Sequence, residues 1–498
     1  MPDLEPAADG DAERPQDLGD LVHLEARQLS ALIRDRRISC VEVMESYLEH
    51  IDRHNPRVNA IVSIRPRDEL LAEAGERDRQ LRDGDRRGWM HGFPHAVKDL
   101  AAARGIRHTA GSVIHRDRVA DTDDLFVQRI RAAGAIIIGK TNTPEFGLGS
   151  QTYNPVFGTT ATPYDTDRTA GGSSGGAAAA VALRMLPVAD GSDYMGSLRN
   201  PAAFCNVYGL RPSIGRVPNR AGFVAQLSAI GPMARSVTDL ALLLSTQAGP
   251  DPYTPLGPHT PLGLDSDPAR SAGRLDRDFR GTKIAYVGDW DGYLAFEPGV
   301  LEVVETALGE FEALGARVDR VLPAFDPARL FQLFLRWRWW AQTGNAELYD
   351  DPATRDLLKP ELRWEIEHGL RLTARDITEA VAERQAWYAA VVDLQRNYDY
   401  IIAPSAQVFP FDKTVHWPTM IDGRPMDTYH RWMETVAPWS LSGCPVAGVP
   451  AGFGDSGLPT GIQIVGRAGQ DLAVLQLAHA YHRRTRWPQR RPPPGLAG

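Results

Sequence analysis

Ser197 lies in the stretch 190–203, "DGSDYMGSLRNPAA", where a glycine-flanked turn opens into a helix start. A serine in such a turn can attack a carbonyl if a neighbouring group takes its proton. No histidine and no G-x-S-x-G frame surrounds it. A second serine pair stands upstream in "GGSSGG" at 171–176, and Gly171-Gly172-Ser173-Ser174-Gly175 is a literal G-x-S-x-G. A nucleophile elbow needs an apolar strand directly before the serine, whereas "YDTDRTA" precedes this one. The elbow reading fails on context. A phosphate-cradling loop fails too, because no Lys-[Ser/Thr] follows the glycines.

One lysine is placed unusually. Lys98 ends the apolar stretch "FPHAVKDL", and a lysine removed from water loses its proton more readily and can serve as a base near neutrality. Taken alone, it reads first as a lysine paired with Asp99 or reaching solvent. Thirteen histidines are available for a Ser-His-Asp arrangement, but none sits in a nucleophile or base frame; His91, His95, His108 and His115 fit structural roles equally well. No H-E-x-x-H or comparable cluster argues for zinc, so neither a metal nor a cofactor is expected.

The elements that must position these groups alternate. Helical spacing over "LVHLEARQLSALIRDRR" and "CVEVMESYLEHIDRHN" precedes the β run "NAIVSI"; "FPHAVKDL" and "AIIIGKT" read as buried strands around the helix-patterned "DDLFVQRIRAAG". The class is α/β. Residues 142–176 read as a long irregular loop, of the length that usually serves function. "GGAAAAVALRM" reads as a helix and "LPVAD" as a short strand leading to Ser197. Residues 249–280 read as a surface excursion before "KIAYVG". The mostly helical 328–397 carries "FQLFLRWRWW", whose aromatics fit core packing or the wall of an apolar pocket; 406–434 reads as a lid or pocket loop.

Composition sets the bounds. With 498 residues, 43% hydrophobic and 24% charged, the chain has the make-up of a globular protein able to bury a large core. A net charge of −8 argues against a nucleic-acid binder. Three scattered cysteines form neither a disulfide framework nor a metal site and suggest a reducing, cytoplasmic setting. The acidic residues 1–20 read as a flexible tail without signal-peptide character, and 487–498 as a Pro-rich solvated tail. No apolar run has the roughly 20 residues that span a bilayer, so no membrane partner is expected.

"VKD" at 97–99, "AGGSSGG" at 170–176 and "GSDYMGSLRNPA" at 191–202 form an ordered set, with Ser173 and Ser197 24 residues apart. Together with "KTNTPEFGLGS", "CPVAGVPAGF" and "GLPTGIQIVGRAGQDLAVLQLA", this set resembles the amidase signature family from about residue 22 to 485. The resemblance implies one domain over 21–486, with a signature core at about 90–215 and a helical, aromatic pocket region at about 328–434. It implies a large central, mixed, twisted sheet flanked on both faces by helices. It also implies a catalytic set of Ser197, Ser173 and Lys98, in which Lys98 takes a proton from Ser173 and Ser173 from Ser197. The family's Gly172-Ser173 peptide is cis. Backbone N–H groups of Tyr194, Met195, Gly196 and Ser197 would form the oxyanion hole, with Asp193, Arg199, Gly172 and Ser174 in support.

The family's usual Thr-Gly is replaced here by Tyr194-Met195. Two large side chains at this point favour a longer amide, an anilide or a carbamate over a small primary amide such as glutamine. The expected enzyme is a hydrolase of amide or carbamate C–N bonds in apolar, including aryl, small molecules, working as a monomer or homodimer. The alternative is the glutaminase component of a tRNA-dependent amidotransferase. Tyr194-Met195, "RWRWW" and the long 406–434 segment favour the first.

Overall fold

A computed structural model of the chain describes residues 13–219, 227–254, 262 and 274–496. Two sheets organise it. The smaller contains β1 (Ile61–Val62), β2 (Pro94–Lys98) and β3 (Ile136–Thr141) in the order β1-β3-β2. β2 and β3 are buried at every residue, which is why both read as unbroken apolar runs. They pair in parallel, so a crossover must join them; it contains the helix Leu125–Ala132.

The larger sheet has eight strands: β4 (Val188–Asp193), β5 (Tyr208–Arg211), β6 (Ala229–Ala234), β7 (Lys283–Tyr286), β8 (Arg317–Arg320), β9 (Tyr400–Pro404), β10 (Val446–Phe453) and β11 (Pro459–Val465). Their order is β8-β7-β9-β11-β10-β5-β6-β4. β7 runs parallel to β8 and β9 while the other neighbours are antiparallel, so the sheet is mixed as expected. Helices Val237–Gln247, Val300–Glu312 and Asp471–Thr485 pack around it.

The sheets meet at edge strands β2 and β4. Asp190 of β4 accepts the backbone N–H of Lys98 at 3.1 Å on one oxygen and contacts His95 Nε2 at 2.9 Å on the other. One buried carboxylate thus ties the strand ending in Lys98 to the strand leading to Ser197.

Helix α1 (Gly175–Ala182, "GGAAAAVA") wedges against β1, β2, β3, β4 and β6 and is buried at every residue. Only small side chains allow so close an approach. At Gly176 an added Cβ would lie 2.3 Å from the backbone nitrogen of Asn142 and 2.6 Å from the carbonyl of Ala60. Gly176→Ala is therefore expected to destabilise the fold by about 1–3 kcal/mol through overpacking against backbone that has no rotamer to yield. A thermal unfolding midpoint equal to the parent's would contradict this contact.

Several segments differ from their sequence expectation. Residues 142–176 hold two short antiparallel pairs, Tyr153–Asn154 with Gly158–Thr159 and Ala161–Thr162 with Asp165–Thr169, which pair backbone groups within the segment itself. Residues 406–434 contain the pair Met420–Ile421 with Arg424–Pro425. Of the acidic tail, 1–12 lie outside the described residues, whereas Leu18–His23 forms a 3-10 turn with Leu21 and Val22 buried. Residues 487–496 do not leave the body: Asn206 donates to the carbonyls of Trp487 and Arg491 at 3.1 and 3.2 Å, and the Arg491 guanidinium stacks 3.9 Å from the Phe453 ring centre. Most of the 249–280 excursion lies outside the described residues.

Candidate active site

Lys98 closes β2, and its side chain is 1% exposed. Its Nζ lies 2.7 Å from Ser173 Oγ, 2.8 Å from Ser174 Oγ and 3.0 Å from Ser192 Oγ. Burial pulls the Lys98 ammonium down to about 7, against the opposing pull of Asp190 and Asp193. The expectation that this lysine is paired with Asp99 or solvated does not hold. Asp99 belongs to a neighbouring group, accepting from Thr109 N–H at 3.2 Å and lying 3.6 Å from Lys140 Nζ.

The contact set suits a neutral amine. A neutral lysine carries two N–H donors and one lone pair. Ser174 and Ser192 can accept the two donors, which leaves the lone pair for the hydroxyl proton of Ser173.

The turn bearing Ser173 is held from several sides. The Gly172-Ser173 peptide is cis. Ser150 Oγ donates to the Gly172 carbonyl at 2.8 Å and Thr152 Oγ1 to that of Gly171 at 2.9 Å. Gly171 has φ +72°, and a Cβ there would lie 2.6 Å from Asn200 Oδ1. At Gly191 a Cβ would lie 2.7 Å from Ser174 Oγ, so the absent side chain makes room for the hydroxyl bonded to Lys98. The Ser174 N–H donates to the Ser197 carbonyl at 3.2 Å, joining the two serine segments.

Ser197 follows β4 and lies two residues before helix α2 (Arg199–Phe204), whose N-cap is Leu198. Asp193 shapes that turn, accepting from Gly196 N–H at 2.9 Å, Leu198 N–H at 3.1 Å and the Arg199 guanidinium at 2.8 and 2.9 Å. Arg199 also reaches the Val436 carbonyl at 3.0 Å and Ser440 Oγ at 2.7 Å. Burial would raise the Asp193 carboxyl, but the Arg199 and Arg211 charges and these N–H groups hold it well below the usual range. One expectation is corrected here. The Gly196 N–H points to Asp193 rather than to an oxyanion, because a buried carboxylate needs every donor the turn supplies. Tyr194, Met195 and Ser197 are the remaining candidate donors.

A small cavity opens at Ser197, lined by Gly147, Gly149, Tyr194, Met195, Arg338, Tyr429, His430 and Met433. Arg338 comes from helix α3 (Pro327–Gln342), the "RWRWW" segment. Leu330, Phe331, Leu333, Phe334, Leu335 and Trp337 of this helix are buried, so its aromatics follow the core-packing reading, and the residue it brings to the Ser197 cavity is the arginine. Arg338 Nε donates to both oxygens of Glu365 at 3.0 Å, from helix α4 (Pro360–Leu370), and its guanidinium carbon sits 4.8 Å from the Tyr194 ring centre. Tyr194 OH donates to the Trp337 carbonyl at 3.1 Å. Sequence reasoning missed Arg338, Glu365, Tyr429, His430 and the Lys98 partner Ser192. Only the pocket-region assignment of 328–434 pointed toward the first four.

A serine at a turn, a second serine and a buried lysine pulled toward its neutral form are thus brought to one site. Residues 42–475 match the Amidase family model, and the chain belongs to that family. It is 32% identical to an acylamidase of Rhodococcus erythropolis over 95% of this chain and 98% of the relative. It is 34% identical to a glutamyl-tRNA(Gln) amidotransferase component of Thermosynechococcus vestitus, over 93% and 98%. The fold matches a bacterial aryl acylamidase of the amidase signature family with TM-score 0.85 and 29% identity, covering 94% of this chain and 97% of that one. The protein is accordingly a hydrolase of C–N bonds in amides. No helix among the described residues is long and apolar enough to cross a membrane.

Proposed function

We propose that the protein hydrolyses amide or carbamate bonds of apolar small molecules, aryl substrates included, through an acyl-enzyme on Ser197. The observation that carries this reading is Lys98 Nζ, buried and pulled down to about 7, at 2.7 Å from Ser173 Oγ. Ser197 Oγ attacks the carbonyl while its proton passes to Ser173 and the Ser173 proton to Lys98. Backbone N–H groups of Tyr194, Met195 and Ser197 face the oxygen that becomes negative. The relay then returns the proton to the departing amine, and water attacks the ester along the same path. Asp193 and Arg199 hold the turn, while Gly172 and Ser174 hold the relay.

The apolar preference rests on Tyr194, Met195 and Met433 in the cavity wall. Kinetics of the purified single chain on p-nitroanilides, aliphatic amides, aryl carbamates and glutamine test it. Aryl amides and carbamates should exceed acetamide and glutamine in kcat/KM. Met195→Gly should change that ranking by about 10–200-fold per misfitted methylene while turnover persists. A second reading, the glutaminase component of an amidotransferase, draws on the 34% identical relative. It prevails if glutamine is the best substrate or if the chain is inert until partner proteins are added.

A further inference from the structure

Arg338 and His430 both line the cavity at Ser197, whose wall is a mixture of polar and apolar groups. His430 is 1% exposed, with Nε2 2.7 Å from Glu365 Oε1. Glu365 also accepts from Arg338 Nε and from Tyr429 OH. The Arg338 charge holds the Glu365 carboxyl below its usual range, so the carboxylate is ionised and only accepts. The hydrogen on His430 therefore sits on Nε2. Burial lowers the His430 imidazole against the opposing pull of Glu365, and in the neutral ring with its hydrogen on Nε2 the Nδ1 atom is an acceptor. That atom is buried with no hydrogen-bond partner among the described residues.

We propose that this wall recognises a second substrate group of the carboxamide class, its oxygen accepting an N–H from Arg338 and its N–H donating to His430 Nδ1. The charge argument selects a neutral group. Glu365 already balances Arg338, so a carboxylate would face Glu365 behind the guanidinium and an ammonium would face Arg338 itself. An amide fills both positions without burying a new charge. The inference rests on Ser197 being the reacting centre, which places the second group beside the scissile bond. The preferred substrate is then a molecule with two amide-like units, an apolar linker between them fitting Tyr194.

The test uses p-nitroanilides whose acyl chains, one to four methylenes long, end in a secondary carboxamide, a methyl ester or an alkyl group of the same shape. At the best length, carboxamide should exceed ester and ester should exceed alkyl, each by at least about tenfold in kcat/KM. His430→Phe should erase the carboxamide-over-ester gap. The double variant Arg338→Met, Glu365→Gln, which leaves no unpaired buried charge, should erase both gaps. A matched trio in which an N-methyl amide replaces the anilide, titrated into Ser197→Ala by calorimetry, should show the same order without turnover. Three ligands within twofold of one another in both assays, or variants that keep the parent ranking, would overturn the proposal. If Ser197→Ala keeps full turnover, the assignment of the nucleophile fails, while the calorimetric order still decides whether the wall binds an amide.

Discussion

Ser197→Ala is expected to lower kcat/KM by on the order of 10⁶-fold, the scale of losing the nucleophile in other serine hydrolases. The fold should survive. The turn is held by the Asp193 carboxylate and the Arg199 guanidinium, whose contacts use the backbone N–H groups of Gly196 and Leu198 and no atom of the Ser197 side chain. Thermal unfolding should therefore stay close to the parent's, since the change removes one hydroxyl from a residue at the edge of a cavity. Labelling by a serine-directed fluorophosphonate should vanish with turnover. Persistent labelling at an active-site residue in Ser197→Ala would move the nucleophile elsewhere.

Lys98 carries the second large effect. Lys98→Met should reduce kcat by about 10²–10⁴-fold, the loss typical of a general base, and Ser173→Ala should fall in the same range because it interrupts the same relay. The pH dependence gives the sign. Lys98 accepts a proton only when neutral, its folded value lies at about 7, and it is therefore charged and inactive below that pH. In the parent, kcat/KM should rise with pH, gaining roughly tenfold per unit below the midpoint and levelling off above it. The limb should disappear from the residual activity of Lys98→Met. A parent profile that stays flat between about pH 5 and 9 would show that no group with this titration acts in the rate-limiting step.

Ser173, Ser197 and Lys98 were legible through short local segments that together resemble the amidase signature family, whereas Lys98 taken alone reads as paired or solvated. The glycines around Ser173 and Ser197, and the strand that ends in Lys98, are local patterns of residue type. α/β alternation was legible for the same reason, since "PHAVK" and "IIIGKT" at β2 and β3 announce burial by composition. The hairpin pairs within 142–176 were not, because two-residue ladders leave no period to detect.

Distance in sequence hid the rest. Asp190 reads only as the end of a short strand, yet it binds the two sheets by reaching His95 and the Lys98 backbone, 92 and more positions upstream. The Gly196 N–H looked like an oxyanion donor until Asp193 folded back on it. Glu365 gathers Arg338 from 27 positions upstream and His430 from 65 downstream. No propensity or spacing encodes such a meeting. It exists because three helical or irregular segments converge on one cavity, where a buried charge must find its partners wherever the chain has brought them. Residue type and order thus marked the candidate serines and lysine through their resemblance to the amidase signature family, whereas packing decided how deeply Lys98 is buried, which backbone donors Asp193 takes and which side chains line the cavity.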